Sequence, residues 1–217
     1  MSDFQTRRTM MVDTQVRPSD VTKYPIIDAM LTVPREDFVP DDLREAAYTE
    51  TQIVLAPKRV MFEPRCFAKI LDALSIQPTE LVLTVGAGLG YGAAVLARLA
   101  DFVVAVEEDE GLAGEAERRL SGDGVDNVAV INAPHIEGAA KHGPYDVIMV
   151  EGAVEMLPAT LTDQLRENGR IAALFVEGNL GIVKVGYKID GAVNWRFAFN
   201  ASAPVLPGFT KDNDFAL

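Results

Sequence analysis

The sequence predicts an α/β domain built on a mostly parallel sheet, and three observations carry that prediction. From Pro64 to about Val176, short apolar runs alternate with stretches of helical apolar spacing. One of those runs feeds a glycine turn, Gly86-Ala87-Gly88-Leu89-Gly90, which opens a helix. Beyond Gly181 the spacing changes to period two around Asp190-Gly191, the mark of an antiparallel hairpin.

A chain of 217 residues is most economically one domain. The pattern divides it into a helical and loop extension (1–63), a Rossmann-like core (64–180) and a C-terminal hairpin and tail (181–217). In the extension, prolines at 18, 25, 34 and 40 break helical stretches; Pro25 suits the first turn of a helix through Ile26, Ile27, Ala29, Met30 and Leu31. The core opens with a helix carrying Phe67, Ile70, Leu71 and Leu74 on one face. Leu81 to Val85 is a continuous apolar run, as expected of a strand buried on both faces. A helix through Ala93 to Leu99 follows, then a strand from Phe102 to Val106 and a helix from Leu112 to Leu120. Val128 to Ile131 and Tyr145 to Val150 read as strands, Ala159 to Arg166 as a helix, and Arg170 to Val176 as a strand after the turn Asn168-Gly169. Ile182 to Ile189 and Val193 to Phe199 form the hairpin, and Pro204, Pro207 and Gly208 mark an irregular tail.

Composition excludes several classes. Acidic residues outnumber basic ones 32 to 20, for a net charge of −12, which disfavours a nucleic-acid backbone as partner. No apolar run approaches the roughly 20 residues of a membrane helix, and Met1-Ser2-Asp3-Phe4-Gln5 lacks the pattern of a secretory signal. The single cysteine, Cys66, suits a reducing compartment and reads as a small buried side chain. The expectation is a soluble cytoplasmic protein, monomer or homodimer, with no metal.

The glycine turn has a chemical use. A tight turn between strand and helix needs residues that tolerate positive φ and let a ligand approach the backbone, and the helix N-terminus offers free N–H groups. Glu107 closes the next strand, 21 residues after Gly86, matching the roughly 20-residue spacing of an acid that accepts from ribose hydroxyls. The dinucleotide pattern places its third glycine one residue later to admit a pyrophosphate; here Gly90 comes early and Tyr91 follows. That shorter form is the one usual for S-adenosyl-L-methionine. The expected cofactor-binding set is Gly86, Ala87, Gly88, Gly90, Tyr91, Glu107 and Asn132.

The segment Val33-Pro34-Arg35-Glu36-Asp37-Phe38-Val39-Pro40, followed by Ala47-Tyr48, is similar to the VPRE-x-FVP signature of the protein-L-isoaspartate O-methyltransferases. Asp126-Asn127-Val128, Pro144-Tyr145-Asp146 and Pro158-Ala159-x-Leu161-x-x-Gln164-Leu165 resemble further segments of that family, and Asn168-Gly169-Arg170 stands at its glycine-glycine-arginine position. The likeness runs over roughly residues 11–176. It implies a three-layer, seven-stranded S-adenosylmethionine-methyltransferase sheet, that cofactor, and a carboxyl O-methyltransferase acting on isoaspartyl-containing proteins or peptides.

The chain departs from the family pattern at defined places. The active-site threonine-isoleucine-serine-x-proline segment aligns with Val60-Met61-Phe62-Glu63-Pro64, so Phe62 takes the serine position and no catalytic residue is assigned. A phenyl ring there is expected to line the cavity beside the cofactor sulfonium and add bulk. Lys58 and Arg59 precede it, read first as a solvated loop and second as attractors of a carboxylate. Thr84 stands where the family's strand usually carries a glutamate, and Asn132-Ala133-Pro134 where its glycine-aspartate-glycine faces the adenine. His135 and His142 read as surface residues. Two other readings stay open beside the divergent O-methyltransferase: a non-catalytic relative that senses a ligand or binds a partner, and a methyltransferase for a different small-molecule acceptor.

Overall fold

The computed structural model describes residues 4–211. Residues 1–3 and 212–217 of the predicted extension and tail lie outside them. The extension consists of α1 (Phe4–Met11), continued by a π-helical turn, α2 (Tyr24–Thr32), two 3-10 segments, and strands β1 (Ile53–Ala56) and β2 (Arg59–Met61). The core follows as α3 (Pro64–Leu74), β3 (Leu81–Val85), α4 (Tyr91–Ala97), β4 (Phe102–Glu107), α5 (Glu110–Gly122), β5 (Val128–Asn132), β6 (Tyr145–Val154), α6 (Ala159–Thr162) and β7 (Leu165–Glu177). The hairpin is β8 (Leu180–Ile189) and β9 (Ala192–Asn200).

Local chemistry explains where these helices start. Pro25 and Pro64 occupy the first turns of α2 and α3, where a missing N–H costs nothing. The Asp109 carboxylate caps α5 by accepting from the Leu112 N–H at 2.9 Å. On α3, Phe67, Ile70, Leu71 and Leu74 are all buried, as their spacing predicts.

The main sheet runs β5-β4-β3-β6-β7-β8-β9, with parallel pairing from β5 through β7 and antiparallel pairing across β8 and β9. Chain order reverses at β3, so the crevice beyond the carboxyl ends of β3 and β6 is where an open α/β sheet binds its ligand. One face of the sheet packs Val82, Val103, Ala105 and Val147 against the helical layer holding Phe67 and Leu71; the other packs Leu83, Val85, Val104, Val106 and Ile148 against Leu161, Leu206 and Phe209. Apolar cover on both faces is why these strands read as unbroken apolar runs. At the hairpin turn Asp190 (φ 53°) and Gly191 (φ 77°) both take the left-handed conformation that a two-residue connection demands.

Three sequence expectations change here. The helix expected from Ala159 to Arg166 ends at Thr162, because Leu165 already pairs with Tyr145 at the start of β7. That strand takes up Asn168-Gly169 as a bulge before Arg170 pairs with Val147. The stretch with Lys58 and Arg59 is the turn and second strand of a hairpin, an antiparallel pair separate from the main sheet. The tail is anchored: Ala153 N–H donates to Pro204, Leu206 N–H donates to Ala153, and Leu206 and Phe209 are buried.

The signature segment at Val33 to Pro40 holds the extension to the core. Arg35 is fully buried, donating to the carbonyls of Ala47 (2.7 Å) and Phe62 (2.6 Å) while its guanidinium covers the Tyr91 ring. Glu36 accepts from the Tyr48 hydroxyl and pairs with Arg8 at 3.0 Å. Among the described residues, no helix is long and apolar enough to cross a membrane.

Candidate active site

The chain leaves β3 at Val85 and turns through Gly86 (φ 87°), Gly88 (φ 57°) and Gly90 (φ 97°) into α4. Side chains rarely adopt these angles, and space adds a second constraint. A Cβ on Gly88 would sit 2.5 Å from Leu55 Cδ1, and one on Gly92 would overlap the Glu151 carboxylate. The N–H groups of Gly86 and Ala87 both donate to the Val106 carbonyl, fixing the turn beside the end of β4.

Glu107 is the last residue of β4 and has no exposed surface. Its Oε2 accepts from the Gly88 N–H at 2.7 Å and from Arg59 Nη2 at 2.5 Å. Its Oε1 accepts from the Asp109 N–H at 3.2 Å and lies 3.3 Å from His135 Nε2, which donates when that nitrogen carries the proton. Burial alone would raise this carboxyl, but the His135 hydrogen bond and the Arg59 charge outweigh it and hold it at about 2.

Arg59 reaches the site from β2, and only 4 % of its side chain is exposed. One of its three nitrogens bonds Glu107; Nε and Nη1 are buried with no partner. Its Nη1 lies 3.2 Å from where a Gly86 Cβ would stand. Beside it, the buried carboxylate of Glu151, at the carboxyl end of β6, accepts from the Thr84 hydroxyl at 2.6 Å. Burial pushes the Glu151 carboxyl up to about 7 against the pull of the Thr84 bond and the Arg59 charge.

With these side chains in place, the cavity bounded by Leu55, Met61, the glycine turn, Tyr91 and Glu151 measures about 10 Å³. That is room for about one water, whereas sites for ligands of cofactor size run to roughly 300–1,000 Å³. A wider groove of about 530 Å³ between Thr32, Pro34, Arg98 and Asp126 touches none of the predicted site residues.

The predicted residues divide accordingly. Gly86, Ala87, Gly88, Gly90 and Glu107 converge on one crevice. Tyr91 follows directly but buries its ring against Phe38 and Phe67, under Arg35. Asn132 is exposed and spends its amide N–H groups on the carbonyls of Glu107 (3.0 Å) and Glu108 (3.1 Å), tying the ends of β4 and β5 together.

Phe62 does not line the cavity as expected; it is 2 % exposed and lies in the main core. Phe62 follows the last residue of β2, and its carbonyl accepts from the buried Arg35 guanidinium at 2.6 Å, which holds this point of the chain against the core. The bulk at the site comes from Leu55 and Arg59 instead. Arg59 is therefore no solvated loop residue and His135, 1 % exposed, no surface residue. Glu151 escaped the sequence reading altogether. Its signal was present: a lone acid inside the apolar run from Val147 to Val154.

A sequence profile described as protein-L-isoaspartate(D-aspartate) O-methyltransferase matches residues 6–194. The protein-L-isoaspartate O-methyltransferase of Koribacter versatilis is 36% identical over 171 residues, covering 79% of this chain and 77% of that protein. Its counterpart from Methylorubrum extorquens is 37% identical over 164 residues, covering 76% of this chain and 72% of that one. Among solved structures, a protein-L-isoaspartate O-methyltransferase superposes with a TM-score of 0.80 at 22% identity, over 94% of this chain and 66% of that one. A putative protein-L-isoaspartate O-methyltransferase from Plasmodium falciparum, in complex with S-adenosyl-L-homocysteine, gives 0.79 at 19% identity over 95% and 99%. Both likenesses establish the sheet order and layers described above.

Proposed function

Because the chain belongs to the protein-L-isoaspartate O-methyltransferase family, we propose that it is a carboxyl O-methyltransferase with S-adenosylmethionine as cofactor. The proposed acceptor is an isoaspartyl-containing protein or peptide. The observation that carries the reading lies inside the matched stretch: three glycines at left-handed φ, with the Glu107 carboxylate at the end of the neighbouring strand. When bound, the cofactor supplies an electrophilic methyl group. An acceptor carboxylate is already ionised at neutral pH, so no general base is required of the protein.

The residues as they stand do not fit that cofactor. A ribose diol needs lone pairs on Glu107, and the Arg59, Gly88 and Asp109 donors already take three of them. The volume at the turn is smaller than a usual ligand site by more than an order of magnitude. The same observation favours a second reading, a family member that keeps the fold as a sensing or binding module. A monomer or homodimer in the cytoplasm, acting on no nucleic acid, completes the proposal and is supported by the net charge of −12 and the buried Cys66.

Transfer of labelled methyl from S-adenosylmethionine to an isoaspartyl peptide tests the reading. Formation of a base-labile methyl ester is the expected result. A protein that binds the cofactor but leaves the peptide unlabelled has another acceptor. One that binds no cofactor at millimolar concentration belongs to the second reading.

A further inference from the structure

We infer that the cofactor crevice is held shut by the protein itself: the β1–β2 hairpin is a latch, and its Arg59 side chain occupies the place of the cofactor ribose on Glu107. The inference rests on the cofactor assignment proposed above and adds how the site is governed. Three observations support it.

First, the guanidinium stands on the atom that an incoming ribose must use. Arg59 Nη2 is 2.5 Å from Glu107 Oε2, and the guanidinium lies against Gly86, filling the space that the absent Cβ leaves. Leu55, from the first strand of the hairpin, closes over Gly88. Second, the hairpin is hydrogen-bonded as a two-stranded sheet of its own, so it can move without breaking the seven-stranded ladder. Third, the latch is imperfectly satisfied. A buried guanidinium has five donors, and here neither Nε nor Nη1 finds a partner. Arg59 holds the carboxylate through a single nitrogen and leaves two buried nitrogens unsatisfied, which lowers the cost of its release once a diol competes for Glu107. When it leaves, those N–H groups reach water.

The test uses the full chain with S-adenosylhomocysteine as probe, by calorimetry and by hydrogen exchange. Arg59→Ala is expected to bind the probe at least tenfold more tightly than the wild type. In the wild type, a saturating millimolar probe is expected to speed exchange at residues 53–61 while slowing it at residues 86–92. A preformed pocket would show protection of both segments. The exchange result stands on the wild-type protein, so it decides the matter even if Arg59→Ala fails to fold. Equal affinities of the two proteins, or hairpin protection on binding, overturn the latch and leave the cofactor assignment standing. No binding to either protein overturns the cofactor assignment, and with it the latch.

Discussion

Replacing Glu151 by glutamine should abolish a loss of stability that the wild type suffers as pH rises. In the folded protein the buried Glu151 carboxyl keeps its proton up to about pH 7, whereas in the unfolded chain it ionises near 4.5. A folded pKa raised in this way contributes stability that is complete below 4.5 and is lost as pH rises through 7. Each pH unit of the interval is worth about 1.4 kcal/mol. The wild type should therefore forfeit about 3 kcal/mol across it. Glu151→Gln has the shape of the protonated acid, and its amide oxygen still accepts from the Thr84 hydroxyl. Relative to wild type, the variant should gain about 3 kcal/mol between pH 4.5 and 8, which for a domain of this size is a shift in Tm of about 6–12 °C. Urea melts of both proteins at half-unit pH steps measure the difference directly. A difference that stays constant from pH 4.5 to 8 would refute the argument, since it would mean that Glu151 is ionised in the fold and compensated by Arg59.

Glu107 should behave in the opposite sense. Its folded pKa is lowered to about 2, so its stabilisation is present above pH 4.5 and drains away as pH falls from 4.5 toward 2; acid melts of Glu107→Gln should lack that limb. Phe62→Ala should cost about 3–5 kcal/mol in urea melts as a core deletion, yet leave affinity for S-adenosylhomocysteine unchanged; a marked rise in affinity would place the ring back in the acceptor cavity.

Most of the architecture was legible because it is encoded locally. Leu81 to Val85, the glycines at 86, 88 and 90, and Glu107 occupy one continuous strand-turn-helix-strand unit, where spacing in sequence becomes position in space. The hairpin at Asp190-Gly191 was legible for the same reason. What escaped was whatever distant segments contribute to the same crevice. Arg59 comes from a three-residue strand behind Pro57 and Lys58, a composition that reads as solvated loop. His135 arrives from the loop after β5, and its burial depends on Glu107 and Glu108, more than 25 positions away. Phe62 was misplaced because alignment to a motif gives a residue's position along the chain but not what its side chain packs against.

The bond between Thr84 and Glu151 ties the identities of two strand positions to each other. Thr84 stands on β3, and the Glu151 carboxyl group that accepts from its hydroxyl at 2.6 Å is supplied by the neighbouring strand β6. Neither position is free to change alone. A glutamate at 84 would set two carboxylates against each other in a buried site, and an apolar residue at 151 would leave the Thr84 hydroxyl without an acceptor. Positions 84 and 151 are therefore coupled in stability, two residues 67 positions apart in sequence and joined by one hydrogen bond.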